Sequence, residues 1–258
     1  MCYDIRTKLE SMLKRARFRN DEQRIRELLD KLEPYLQDDL FHASGFQHPW
    51  LLVYPQHEPD LPILCRWGLI PNWVKDDETL QRIQNQTLNA RGETIFEKSS
   101  FRHSARMKRC LIYVDGFFEH HEFNGKKYPF HIARKDGEPM ILGGLWSEWT
   151  DRDTGEVLKT CSIVTTEANP MMAQIHNNPK LPEPRMPVIL PEEQADDWLI
   201  DWRGDLETAK LMDLMHPFPQ EELTAYPVQR LRGKEALGNV PQAIEEFHYP
   251  ELELELTT

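Results

Sequence analysis

Between residues 50 and 190 the apolar residues come in short runs separated by Gly, Pro and Asn. The runs are WLLVYP (50–55), PILCRWGLI (62–70), RCLIYVDGFFEHHEF (109–123), KYPFHIA (127–133), PMILGGLWSEW (139–149), VLKTCSIVT (157–165) and RMPVIL (185–190). Their lengths, bounding breakers and content of β-branched and aromatic residues predict strands. Asn124-Gly125 joins two of them and predicts a tight hairpin. A different period precedes these runs. In NDEQRIRELLDKLE (20–33), Ile25, Leu28, Leu29 and Leu32 recur at helical spacing. Asn20 is placed to cap this helix, Gln23 takes the capping-box position, and Pro34 discourages continuation. Shorter helices are predicted at 76–86, after Asn169 with Pro170 as first helical residue, after Pro191, and at 207–215.

Consecutive strands without regular helical crossovers predict a mostly antiparallel, β-rich α+β protein. No internal repeat is present, and nothing before about residue 245 reads as a linker, so residues 1–258 are expected to form one domain. The acidic tail over 246–258, ending HYPELELELTT, reads either as an edge strand or as an extension.

Composition adds limits. Hydrophobic residues at 40% and charged residues at 29% fit an ordinary globular chain rather than a disordered one. No apolar run is long enough to span a bilayer. The opening MCYDIRTKLESMLKR is charged and lacks the apolar core of a secretory signal, so a cytoplasmic protein with no membrane partner is expected. Cys2, Cys65, Cys110 and Cys161 lie far apart with no C-x-x-C pair, which argues against structural zinc and a disulfide framework. The last three sit in apolar runs and read as buried small hydrophobes, whereas Cys2 does not. A net charge of −12 opposes nucleic-acid binding, but the charge is uneven. Residues 98–109 (KSSFRHSARMKR) carry five bases and no acid, and residues 6–19 carry six bases against one acid. Two such runs can form an anion-binding face or merely solvated surface.

Few polar residues stand where they can do chemistry. Cys2 follows Met1, and removal of Met1 would make it a 1,2-aminothiol, with an amine titrating near ~8 and a thiol near about 8.5. With an aldehyde this pair gives a Schiff base and then a thiazolidine; with an amide, the amine can serve as base for the thiol. The position equally suits an incidental cysteine. Glu119 ends the run CLIYVDGFFE, either as a proton donor at the rim of an apolar site or as a solvated or salt-bridged strand end. His176 closes NPMMAQIH, a helix whose Met171, Met172 and Ile175 face the core. It reads as a general acid or base, or as a helix end bonded to carbonyls. In TLNARGET, Asn89 can orient a substrate or cap a turn, and Arg91 can hold a phosphate or pair with Glu93.

Taken together, Cys2 behind Met1, NARGET (89–94), RCLIYVDGFFEHH (109–121) and TTEANPMMAQIH with RMPVIL (165–176, 185–190) resemble the SOS response-associated peptidase (SRAP) family, the abasic-site shielding proteins. WGLIPNW (67–73), GGLW (143–146) and AYPV (225–228) extend the resemblance, in order, over most of the chain. The resemblance implies packed antiparallel sheets with a barrel-like core, flanked by short helices. It implies a monomer, without cofactor or metal, that binds single-stranded or single-strand/duplex junction DNA and joins the nucleoid when bound. It also implies covalent trapping of abasic sites on the N-terminal cysteine, with lyase or peptidase chemistry as relatives of that step. Carried onto this chain, Cys2 would be the nucleophile and Asn89 would hold its α-amine or the sugar. Glu119 would act as general acid/base, His176 would assist proton transfer, Arg91 would contact phosphate, and Thr165 would support the site. A lesion gripped without base readout calls for cations and stacking side chains. Trp73, Arg106, Arg109 and Arg185 are therefore further DNA-contact candidates.

The chain also departs from the family pattern. Many members follow the cysteine with Gly-Arg, and that arginine helps hold DNA; Tyr3 and Asp4 stand there here. Asp4 is expected to repel phosphate and to disfavour the Cys2 thiolate. FHASGFQHP (41–49) replaces a YNxAP-like loop, with Phe46 as a wedge or as loop packing. Val74 follows Trp73 where some members have a second tryptophan, and His120 replaces a common Trp. NNPKLPEP (177–184) interrupts the chain beside His176. Two other classes stay open: an N-terminal-nucleophile amidohydrolase or peptidase, and a non-catalytic binder of nucleic acid or protein.

Overall fold

A computed structural model describes residues 2–35, 39–180, 182–201 and 205–252. The described strands are β1 (Asp4–Thr7), β2 (Leu40–Ser44), β3 (Trp50–Pro55), β4 (Ile63–Trp67), β5 (Asn89–Arg91), β6 (Arg109–Val114) and β7 (Gly116–Phe123). They continue with β8 (Lys126–Arg134), β9 (Met140–Thr150), β10 (Val157–Glu167), β11 (Arg185–Pro187), β12 (Ile189–Leu190) and β13 (Leu223–Pro227).

One sheet has the order β13-β8-β7-β1-β2, with every neighbouring pair antiparallel. In the other, β4-β3-β6-β9-β10 run antiparallel to their neighbours, and β10 pairs in parallel with β4 at Thr160–Arg66 and Cys161–Trp67. That parallel pairing returns to the first strand of the series, so the five strands close into a barrel. β5 and β11 extend β10 beyond the barrel, and β12 pairs with β9. This is the α+β, mostly antiparallel, barrel-cored architecture that the sequence predicts. One apolar cluster joins Ile5, Phe117 and Ile132 of the first sheet to Val53, Ile112 and the buried free thiols Cys65, Cys110 and Cys161 of the barrel.

Local rules place these elements. Asn124 and Gly125 take positive φ of 49° and 74°, as a two-residue I′ hairpin turn needs, and Phe123 pairs with Lys126 across it. Gly143 and Gly144 are required by close approach. A Cβ at Gly143 would stand 3.1 Å from the ring of buried Trp198, and one at Gly144 would stand 2.9 Å from Cys110 Sγ. The helix Asp77–Gln86 starts where Asp76 Oδ1 accepts from Thr79 N at 2.8 Å. The helix Pro170–Ile175 starts where Asn169 Oδ1 accepts from Met172 N at 2.8 Å. Helices Ala195–Leu199 and Asp205–Asp213 fall near the predicted positions.

The beginning of the chain differs from expectation. The predicted early helix runs Glu22–Leu32, and Asp21 rather than Asn20 receives the Arg24 N–H at 2.9 Å. Asn20 instead closes an unpredicted helix, Leu9–Arg19, whose Met12 and Leu13 pack with Leu52 of β3. This helix carries most of the first basic run, and acids from elsewhere neutralise it. Lys14 meets Glu138 at 2.7 Å, while Arg15 and Arg19 meet Asp196 at 2.5 and 2.9 Å. These three cations therefore brace the fold, while Arg17 of the same helix is exposed. At the other end, Tyr249 is buried and donates to Val228 O at 2.8 Å. Residues 253–258, which hold most of the Leu/Glu alternation, lie outside the described residues. Among those described, no helix is long and apolar enough to cross a membrane.

Candidate active site

Strand β1 lies between β7 and β2, with Asp4 opposite Phe118 on one side and Ser44 on the other. That register lays Tyr3 and Cys2 alongside the stretch that carries Glu119 and beside β2 and the turn Gly45–Gln47 that follows it. Parallel pairing of β5 with β10 brings in a third segment, with Asn89 opposite Ile163. Asn89 Nδ2 donates to the Cys2 carbonyl at 2.7 Å. Its Oδ1 is buried and has no hydrogen-bond partner among the described residues.

His176 follows the last turn of the helix Pro170–Ile175, which packs against β7. Its Nδ1 lies 3.9 Å from Glu119 Oε2 and 3.1 Å from both the backbone N and O of Arg185. Nδ1 can therefore accept from Arg185 N–H when bare, or donate to Arg185 O when protonated. Burial lowers the His176 pKa below its ordinary value, against the opposing pull of the Glu119 charge. Glu119 is itself mostly buried, and its Oε1 accepts from His120 N at 3.1 Å.

Cys2 is completely buried, unlike the uncovered cysteine that its polar surroundings in the sequence predict. Burial pushes its thiol well above the ordinary range, and the negative charge of Glu119 adds to the shift. The segments that the sequence marked separately, at Cys2, Asn89, Glu119 and His176, thus meet in one place.

The supporting residues are organised around Arg185, which is 1% exposed. Its guanidinium bonds both carboxylate oxygens of Glu93 at 3.0 and 2.8 Å, Glu183 at 3.1 Å, and the carbonyl and hydroxyl of Thr165 at 2.8 and 3.3 Å. The same residue's backbone holds His176. Arg185 is therefore a buried brace beneath the site, where the sequence reading had it reaching DNA. Thr165 lies on β10 within this brace, and partly exposed Arg91 approaches Glu183 at 3.7 Å. Arg109, also expected at DNA, is likewise 1% exposed. It donates to carbonyls of Ala105, Arg106, Trp198 and Ile200, tying strand β6 to two helices. Arg106 is exposed on the helix Arg102–Met107. Trp73 is 44% exposed and lines a separate polar cleft with Asn72, Arg102 and His103.

A cavity of about 360 Å³ opens over the site. Glu119 and His176 form part of its wall, Tyr3, Asp4 and Phe46 form another, and Lys127, Arg230 and Arg232 supply positive charge. Asn178 of the 177–184 insertion also lines it, and neighbouring Asn177 clamps the backbone of Glu122 with contacts of 2.7 and 3.0 Å. Asp4 is buried and paired, a different outcome from the bare repulsive charge expected of it. It accepts from His42 Nε2 at 3.0 Å and Arg232 Nη2 at 2.6 Å. Burial opposes ionisation, but the His42 hydrogen bond and the Arg232 charge outweigh it and lower the Asp4 pKa. His42 and Arg232 were not singled out from the sequence. The only signal was QRLRGK (229–234), with three cations in a short stretch after AYPV. Among the described residues, no group of three or more His, Cys, Asp or Glu is placed to hold a metal ion.

Comparison with known proteins agrees with the motifs and the fold. The family profile described as SOS response associated peptidase (SRAP) matches residues 12–234. The chain is similar to abasic site processing protein YoqW of Bacillus subtilis (strain 168), with 37% identity over 218 residues, 80% of this chain and 90% of that protein. It is also similar to abasic site processing protein HMCES of Xenopus tropicalis, with 30% identity over 197 residues, 69% of this chain and 55% of that protein. The crystal structure of a protein from Bacteroides thetaiotaomicron superposes with a TM-score of 0.82 at 30% identity, covering 96% of this chain and 100% of the other. Motif order, fold and length of match lead to one conclusion: the chain belongs to the SOS response associated peptidase family.

Proposed function

We propose that this protein processes abasic sites in DNA by trapping the lesion's aldehyde on Cys2 once Met1 has been removed. The observation that carries this reading is the convergence of Asn89, Glu119 and His176, from three distant segments, on the start of the chain. The names of the similar proteins agree with abasic-site processing.

The chemistry follows from the groups present. Glu119 moves a proton between the C1′ hydroxyl and the ring oxygen of the deoxyribose, which opens the hemiacetal to an aldehyde. The Cys2 α-amine adds to C1′, and the resulting carbinolamine loses its hydroxyl as water to leave an imine. Cys2 Sγ then adds to the imine carbon while the thiol proton passes to nitrogen, closing a five-membered thiazolidine. One water leaves, and no oxidant or reductant is consumed. His176 suits the relay because the Arg185 backbone offers its Nδ1 a donor and an acceptor at equal distance. Asn89 suits the amine, since its buried Oδ1 is an acceptor with no partner among the described residues beside the Cys2 carbonyl that Nδ2 already holds.

Attack on an amide begins at the thiolate, which the neighbouring Glu119 charge opposes, whereas aldehyde capture begins at the amine, and this favours the aldehyde route over an amidohydrolase or peptidase. A stacked duplex nucleotide cannot reach a buried cysteine without leaving the helix, so single-stranded DNA or a single-strand/duplex junction is the proposed partner.

Intact mass spectrometry after mixing Met1-free protein with abasic single-stranded DNA tests the reading. A stoichiometric adduct with loss of one water, absent in Cys2→Ala, is expected. No adduct from protein with a confirmed Cys2 N-terminus would refute it.

A further inference from the structure

The proposed chemistry uses Cys2, Asn89, Glu119 and His176, but it leaves the opposite wall of the cavity unassigned. Three contacts organise that wall. Asp4, buried at the start of β1, fixes Arg232 through Nη2 at 2.6 Å, and His42 takes the other Asp4 oxygen at 3.0 Å. The Arg232 guanidinium stands over the Phe46 ring, 5.5 Å from its centroid, and the Phe46 ring packs on Tyr3 at 5.1 Å. Phe46 sits in a short turn whose first residue, Gly45, donates to the Tyr3 carbonyl at 2.7 Å. A cation is therefore held from below by a carboxylate and from the side by an aromatic face.

Its charge is also presented outward. The Arg232 side chain is 50% exposed, and its Nε and Nη1 donate to nothing among the described residues. The other cavity cations are already engaged, with Lys127 facing Glu122 at 3.5 Å and Arg230 facing Glu235 at 3.2 Å. A planar guanidinium with two open donors and a fixed orientation matches a phosphate better than a mobile lysine does. The buried Asp4 holds the guanidinium in place at the cost of part of its net charge.

We propose that Arg232, anchored by Asp4 and stacked on Phe46, is a phosphate-gripping residue that positions a DNA backbone phosphate next to the sugar presented to Cys2. The proposal rests on the abasic-site reading for the identity of the sugar, but the anion site stands on its own geometry. Asp4, apparently hostile to DNA when read in the sequence, becomes the positioning residue of that site. Tyr3 and Phe46 act through Arg232 by limiting its orientations.

Two measurements on the full chain test it. In the first, equilibrium binding of an undamaged single-stranded oligonucleotide is followed by fluorescence anisotropy across a salt series. Arg232→Gln is expected to weaken binding roughly five- to tenfold and to reduce the slope of log K against log salt by about one contact's worth. Arg17→Gln, on the exposed face of the helix Leu9–Arg19, removes the same charge elsewhere and is expected to have a smaller effect. Equal losses in the two variants, or no loss in Arg232→Gln, overturn the proposal. In the second, adduct formation with 2-deoxyribose 5-phosphate is compared with that of 2-deoxyribose. Arg232→Gln is expected to lower the preference for the phosphorylated sugar about fivefold, and an unaltered preference overturns the proposal. If wild-type protein reacts with neither sugar, the assignment of Cys2 falls. The oligonucleotide measurement then decides the anion site alone.

Discussion

His131 on β8 offers a quantitative test of how the first sheet is held. The residue is fully buried, and its Nδ1 lies 3.0 Å from Tyr226 Oη. Tyr226 spends its own proton on Ile244 O at 3.0 Å, so Nδ1 must carry the hydrogen and donate to the phenol oxygen. Nε2 is then a bare, buried nitrogen with no partner among the described residues. It presses against Gly116, where an added Cβ would come within 2.5 Å of it. Protonating Nε2 would bury an N–H⁺ without an acceptor, and the nearby Arg6 charge adds repulsion. Burial first, and Arg6 second, push the His131 pKa down to about 3. The sign follows from linkage. Below the ordinary histidine value of 6.5 the unfolded chain takes up a proton that the folded chain refuses, so stability is complete above that pH and lost on acidification towards the folded value. At about 1.4 kcal/mol per pH unit, His131 alone removes roughly 2 kcal/mol between pH 6.5 and pH 5. His131→Asn keeps a donor for Tyr226 and cannot titrate. Its cavity lowers stability at pH 7, but its urea-denaturation free energies should fall less steeply from pH 6.5 to 5, by about one proton. His48, His120 and His176, whose pKa values are also lowered, leave a residual slope of the same sign. Parallel wild-type and variant curves over that interval would show that His131 is not the acid-sensitive group.

Two further predictions concern the proposed chemistry. Asn89→Ala removes the 2.7 Å hydrogen bond to the Cys2 carbonyl, and a net loss of about 1 kcal/mol corresponds to roughly fivefold slower crosslinking at saturating abasic DNA. A single-turnover gel assay reads this, and a rate equal to wild type removes Asn89 from the site. Glu119→Gln takes away both the proton shuttle and a negative charge that raises the Cys2 thiol pKa. Crosslinking should slow by about 10²-fold or more, while the pH profile of Cys2 alkylation moves to lower pH; a fall in crosslinking without that movement would separate Glu119 from the thiol.

The legibility of the site depended on what each residue's role is made of. Glu119 and His176 were marked because each is a polar residue closing an apolar run; His176 does follow a helix end, whereas Glu119 lies in the middle of β7, which continues to Phe123. Asn89 was readable as a polar break within an ordered stretch, although its partner was not. The antiparallel α+β class followed from strand-length runs punctuated by Gly, Pro and Asn, while the barrel came only with the family resemblance, and the approach of Trp198 to Gly143 on β9 was not foreseen. What stayed hidden was pairing across long distances. Asp4 and Arg232 are joined only by the return of the chain past AYPV, so Asp4 read alone carried the wrong sign for its surroundings. The helix Leu9–Arg19 was hidden for a similar reason. Its few apolar residues look too sparse until acids at 138 and 196 neutralise its cations. Arginine was the least readable residue type, because a charge count cannot distinguish an exposed guanidinium from one enclosed by carbonyls or carboxylates.

That distinction changes how a net charge of −12 bears on DNA binding. Cations of both basic runs serve the fold, with Lys14, Arg15 and Arg19 paired and Arg109 enclosed by carbonyls. Arg185 is likewise absorbed beneath His176. Of the cations left exposed, Arg17 lies on the helix Leu9–Arg19 and Arg102 and Arg106 on the helix Arg102–Met107, whereas Arg232 lies at the cavity mouth with open donors and a fixed position. Such a surface has little means of holding undamaged DNA through many phosphate contacts, since each contact contributes its own salt-dependent increment. It is better matched to a brief encounter in which one oriented phosphate contact places a sugar over Cys2 and a covalent bond then supplies the lifetime. On this view, selectivity for the lesion resides in the aldehyde and in access to a buried aminothiol. The acidic body opposes prolonged binding wherever no aldehyde is present.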